Sequence, residues 1–157
     1  MSHQYLLTLA VVGLVLLGWV GCSADSGFKG NRPLYEQVIQ GLRKGEIKTE
    51  QEKGVQIPEG SVRLPISARL PSVFQAASVG GEIYVSRPST NQLLVVFKTW
   101  RGKGFNMEGF LYAAQPLSGA EITKDYYGHS VIVIGPMELV LEKQLDLNWY
   151  RVSYELD

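Results

Sequence analysis

The segment "QLLVVFKTW", Gln92 to Trp100, decides the fold class. Its residues are apolar and partly β-branched on both faces of an extended chain. A strand with one wet face alternates apolar and polar residues; one apolar on both faces is covered on both. Turn clusters bound the segment, "RPSTN" (Arg87 to Asn91) before it and "RGKG" (Arg101 to Gly104) after it. It is therefore expected to be a central strand with neighbours on either side.

Working outward, "FNMEGFLYA", Phe105 to Ala113, is expected as the next strand. Phe105, Met107 and Leu111 share one face; Asn106, Glu108, Phe110 and Tyr112 share the other. "VIVI", Val131 to Ile134, reads as a short fully buried strand, and "MELVLEKQ" resumes after Gly135-Pro136. In "LNWYRVSYEL", Tyr150, Val152, Tyr154 and Leu156 alternate with Trp149, Arg151, Ser153 and Glu155, with Trp149 and Arg151 expected as an outer-face pair. Upstream, "VRLP" and "ARLP" predict short extended pieces interrupted by prolines at sheet edges. "SVFQAAS" leads into Gly80-Gly81, a two-residue hairpin signal, and then "EIYVS". Between Ala114 and Ser130 the pattern is least regular. Together these predict about six to eight short strands, a mainly β fold built as a small antiparallel barrel or sandwich.

One helix is expected ahead of the strands, in "RPLYEQVIQGLRKGE" (Arg32 to Glu46). Pro33 suits a first helical position, and Leu34, Val38, Ile39 and Leu42 fall on one face. Arg43 and Lys44 suit the C-terminus, and Gly45 suits the stop. "EIKTEQEKG" then reads as a solvated charged connector. The 15 basic and 15 acidic side chains balance, so no global field draws nucleic acid, which is not expected as a partner. The lone cysteine excludes an internal disulfide framework and a multi-cysteine metal site.

That cysteine, Cys22, stands where the chain changes character. Leu6 to Gly21 is apolar, close in length to a signal-peptide core and shorter than the ~20 residues that comfortably span a bilayer. Val20, Gly21 and Cys22 end the run, and "SADSGFKGN" follows. The leader resembles a bacterial lipoprotein signal, whose lipobox ends in a small residue before the cysteine. The resemblance covers residues 1–23 only. It implies a diacylglyceryl group on the Cys22 sulfur, cleavage after Gly21, and stable anchoring through several acyl chains. Ser23 rather than Asp after the cysteine implies the outer membrane if the organism has two. An uncleaved signal anchor and an ordinary secretory leader with a free thiol remain alternatives. The expected organisation is a signal peptide over 1–21, a lipidated cysteine and flexible tether over 22–31, and a single domain over 32–157.

Two stretches of the mature chain could carry chemistry. "KTWRGKGF" gathers Lys98, Trp100, Arg101, Lys103 and Phe105 at an expected hairpin tip. There, outward N–H groups and cations could hold an anionic glycan, a phosphate-bearing lipid or an acidic protein surface. Its spacing is not that of a P-loop. The bland alternative is a solvated turn. "DYYGHS" holds the one histidine of the mature chain, and Asp125 and His129 are the weak candidates for acid–base catalysis. No nucleophile-elbow motif accompanies them, and a surface or structural histidine is the simpler reading. No metal site or cofactor is expected. These residues favour a non-catalytic, membrane-anchored envelope binding domain. A lipid-anchored hydrolase using His129 and an uncleaved signal-anchor assembly subunit are the rivals.

Overall fold

In the computed structural model of the protein, the residues described are 24–50, 66–101, 107–125, 127–134 and 137–154. Chain contacts divide at Gly30 and Asn31; the sheet lies wholly in the second part, Asn31–Asp157. Helix α1 runs from Ala24 to Lys44. Among the described residues, eight strands follow: β1 (Ile66–Arg69), β2 (Glu82–Ser89), β3 (Gln92–Arg101), β4 (Met107–Ala113), β5 (Thr123–Lys124), β6 (Ser130–Ile134), β7 (Met137–Asp146) and β8 (Trp149–Tyr154). They form one antiparallel sheet in the order β1-β2-β3-β4-β8-β7-β6-β5. The mainly β class with one N-terminal helix is as expected, but the sheet does not close into a barrel. Among the described residues, its end strands, β1 and β5, each pair with a single neighbour.

β3 is the central strand its composition demands, and Leu93 to Phe97 are all buried. One face carries Leu94 and Val96 into a core with Met107, Leu111 and Ala113 of β4, Tyr150, Val152 and Tyr154 of β8, Met137 and Leu139 of β7, and Ile132 and Ile134 of β6. β3 and β6 are separated by three strands, so their sharing one core means that the sheet curls strongly. Register shifts between β3 and β4, and twice between β7 and β8, supply the extra residues that let it bend.

The opposite face of β3 meets α1. The Tyr35 ring lies 4.7 Å from Phe97 and 5.8 Å from both Phe110 and Trp149, centre to centre. Val38, Ile39 and Leu42 complete the buried stripe; Leu34 is only half-buried, and Tyr35 takes the central place. Burial raises the Tyr35 hydroxyl above its ordinary pKa, partly offset by a hydrogen bond with Asn31. Trp149 is therefore part of the helix-covered core and not an outer-face partner of Arg151, which pairs with Glu108 at 3.2 Å.

α1 ends as its sequence suggests. Gly45 adopts φ +73, the Glu46 N–H donates to the Gly41 carbonyl at 2.9 Å, and the Gly45 N–H donates to the Leu42 carbonyl at 3.3 Å. This is the Schellman pattern, in which a left-handed residue lets the chain turn back over the last carbonyls. Gly45→Ala is expected to lower stability by about 1 kcal/mol, because a Cβ is disfavoured at that φ. Urea unfolding measures it, and unchanged stability would show that the left-handed stop is not needed.

Several expectations are corrected. Residues 24–31, expected as a flexible tether, belong to α1, and Pro33 lies inside the helix rather than at its first position. Small polar residues are weak helix formers but do not forbid a helix. "SVFQAA" forms a 3-10 helix, Ser72–Ala77, so Gly80-Gly81 (φ +79 and +64) does not close a tight hairpin. β2 pairs instead with β1 across that longer loop. In "VIVI", Val133 is 59% exposed while its three neighbours are buried, as on an outer position where one face meets water. The connector after Gly45 is also less solvated than its charges suggest, since Ile47 and Thr49 are buried. Cys22 and the leader lie outside the described residues.

Candidate functional site

The "KTWRGKGF" cluster does not form as one exposed patch. Lys98 shares the parity of Leu94 and Val96, and its side chain is 1% exposed. Its Nζ donates to Glu82 Oε2 at 3.0 Å and stands 5.0 Å from the centre of the Tyr84 ring. Burial pulls the Glu82 carboxyl upward, but Lys98, a hydrogen bond with Ser67 and nearby Arg69 outweigh it and hold it below the usual range. Lys98 is thus a wall of the core, not an anion-binding cation at a hairpin tip. Trp100 and Arg101 end β3; their side chains, and Lys103 with the turn, lie outside the described residues.

The "DYYGHS" stretch closes upon itself. Asp125 Oδ1 accepts from the His129 N–H at 2.7 Å, and Oδ2 stands 2.7 Å from His129 Nδ1. The Asp125 N–H donates to the His129 carbonyl at 3.1 Å, and Gly128, at φ +85, donates to the Asp125 carbonyl. Burial alone would raise Asp125; hydrogen bonds from the His129 ring and backbone and from the Tyr127 backbone outweigh it and hold the carboxyl low. An acid-oriented imidazole can take up a proton. Here the acid also fastens a β5–β6 loop, and the imidazole is 58% exposed beside Tyr127, itself 80% exposed. Among the described residues, no group of three or more His, Cys, Asp or Glu could hold a metal ion.

Two clefts that no linear pattern announced flank Arg43, on the margin where α1 meets the sheet. Arg43 Nη2 donates to the Tyr112 hydroxyl at 2.8 Å, and the guanidinium carbon stands 5.8 Å from that ring's centre. Tyr112 in turn packs on Trp149, 5.1 Å between centres, so Arg43 is positioned by the aromatic core beneath it. On one side lies a cleft of about 250 Å³ toward Arg32 and Asp146. Arg32 bonds both Glu36 and Asp146 at 2.8 Å, leaving that cleft close to neutral.

On the other side lies a cleft of about 300 Å³ between the end of α1, the β2–β3 turn and the exit of β4. Arg43 and Arg87 line it with Thr90, Asn91 and Gln115. Arg87 Nη2 reaches the Leu42 carbonyl at 3.5 Å, which brings it to the helix end that carries Arg43. The floor is rigid: buried Gln92 accepts from the Gln115 N–H at 2.9 Å and donates to the Gln115 carbonyl at 3.2 Å. Gln92 Nε2 also donates to Glu121 Oε1, and the Ser118 N–H and hydroxyl bond the other oxygen. These bonds hold the Glu121 carboxyl low and engage it behind the cleft. Arg43 reads in the sequence as a helix-end cation and Arg87 as a turn residue; only the fold joins them. No family of known proteins, no curated protein and no solved structure matches this chain.

Proposed function

We infer that the chain is a lipid-anchored, non-catalytic binding module of the cell envelope, attached through Cys22. The observation that supports binding is the pair of open clefts on either side of Arg43, one of them lined by Arg87 as well. Preset cations on a fixed scaffold favour recognition, because little ordering is left for the moment of binding. The Asp125–His129 pair fits a loop fastener better than a base, since its acid accepts from the backbone of its own turn. The anchor rests on the sequence boundary at Cys22, where an apolar leader meets a polar chain. Among the described residues, no helix is long and apolar enough to cross a membrane.

Expression of the full chain and of Cys22→Ala with radiolabelled palmitate tests this reading. Wild type is expected to take up label, lose residues 1–21 and sediment with membranes, with labelling and cleavage abolished by the substitution. An unlabelled chain with its leader intact would replace the reading with a signal-anchor subunit. Cleavage without label would make it a soluble exported protein.

A further inference from the structure

We propose that the cleft between Arg32 and Arg43 binds a small zwitterion, its ammonium at Glu36 and its anionic group at Arg43. This deepens the reading of the clefts as a binding surface and rests on it. Arg32, Glu36, Gln40 and Arg43 line the cleft at steps of three or four residues, so they form one stripe along α1. The cleft is neutral as a whole, but its charges are not evenly spread. At one end Arg32 lies between Glu36 and Asp146, one guanidinium to two carboxylates, which leaves a negative charge in surplus. Asp146 has both oxygens engaged, by Arg32 and by the Leu147 N–H. Glu36 Oε1 takes Arg32, and its second oxygen is left to accept. At the other end, among the described residues, the Arg43 guanidinium meets the neutral Tyr112 hydroxyl and no carboxylate. The negative end of the α1 dipole, roughly half a charge, offsets it only in part.

Glu36 and Arg43 are two helical turns apart, about 11 Å along α1. A ligand with a single charge answers one end and leaves the other as it was. An extended dipeptide spans about 7 Å, and a charge-assisted hydrogen bond of about 2.8 Å at each end covers the remainder. Neutral groups of the cleft suit the same body. The Tyr112 hydroxyl accepts from Arg43 and keeps its proton to donate to the anionic group. Asn148 spends its amide N–H groups on the Ala113 and Ala114 carbonyls and keeps its oxygen for a ligand N–H. The space of about 250 Å³ lies just below the range of drug-sized ligand sites, which suits a compact molecule and not a longer chain.

Titration of the isotope-labelled full chain in neutral detergent, followed by NMR, tests the site. The ligands are glycylglycine, its singly charged analogues glycylglycinamide and N-acetylglycylglycine, and glycerophosphoethanolamine, at matched ionic strength. Glycylglycine is expected to bind, and the two analogues at least tenfold more weakly. Tighter binding of glycerophosphoethanolamine would assign the zwitterion to a lipid headgroup; equal or weaker binding would assign it to a short peptide. Glu36→Gln and Arg43→Gln are each expected to weaken glycylglycine binding by about tenfold or more, the scale of a charge-assisted hydrogen bond. Arg43→Gln should also abolish the preference for glycylglycine over glycylglycinamide, and Glu36→Gln the preference over N-acetylglycylglycine. A merely structural role would move neither preference. Circular dichroism checks that each variant is folded, and the comparison of ligands on wild type stands even if one is not. Failure of both zwitterions to bind more tightly than the singly charged analogues, or folded glutamine variants within twofold of wild type, would overturn the proposal. The titration is independent of lipidation. Its failure would leave the Cys22 anchor standing, and failure of palmitate labelling would leave the zwitterion site standing.

Discussion

Gly109→Ala should be among the most damaging single substitutions in the sheet, at a cost of about 3 kcal/mol or more. Gly109 of β4 lies opposite Lys98 of β3, beside the register shift that leaves Thr99 without a counterpart. The bulge presses the two strands together: a Cβ on Gly109 would stand 2.3 Å from the Phe97 carbonyl oxygen and 3.2 Å from its carbon. Those are backbone atoms in the middle of the sheet, and no side-chain rotation can relieve the contact. Either the β3–β4 ladder parts or the curl it sets must relax, and the shared core from β3 to β6 depends on that curl. Gly119→Ala is the control, because a Cβ there meets nothing within 4 Å; it should stay within about 0.5 kcal/mol of wild type. Urea midpoints of the two variants decide the matter. Equal stability would mean that the close approach at the bulge is not a constraint.

That contact shows what a linear reading can and cannot reach. The central place of β3 was legible because Leu93 to Phe97 are apolar on both parities, and no water-facing strand tolerates that. The stop of α1 was legible because Gly45 and the cations before it are local signals of a local event. Lys98 was legible too, by parity, since it falls in phase with Leu94 and Val96; the pull of two nearby cations, Arg101 and Lys103, and two glycines hid it. The strand partner of β2 was not legible. Gly80-Gly81 signals a left-handed turn, but whether the residues before it extend or coil depends on packing, and "SVFQAA" coils. The Arg43–Arg87 cleft was beyond reach for a different reason. Its members come from α1, the β2–β3 turn and the exit of β4, and only pairing registers and the helix contact bring them together.

The buried ion pair at the rim of the core should show its worth in acid. Lys98 is 1% exposed and Glu82 39%, so the pair is desolvated on the cation's side and wet on the other. Removing one partner of a fully buried pair costs about 3–5 kcal/mol, because a charge is left stranded. Water reaching the Glu82 side softens that, so Glu82→Ala should cost about 2 kcal/mol at pH 7. Lys98→Met should cost less, since the carboxylate left behind can hydrate and the methionine fills the space over Tyr84. The double variant Lys98→Met/Glu82→Gln should lie close to wild type, as replacing a pair outright is often neutral. The pH dependence has a fixed sign. Glu82 is held below its usual value near 4.5 in the folded protein, so its contribution is present above that value and is lost as pH falls through the folded pKa. The gap between wild type and Glu82→Gln should therefore be open at pH 7 and narrow as the pH falls through the folded pKa of Glu82, with the other carboxylates cancelling in the difference. A gap that persisted in acid would mean that Glu82 acts through packing and not through its charge on Lys98.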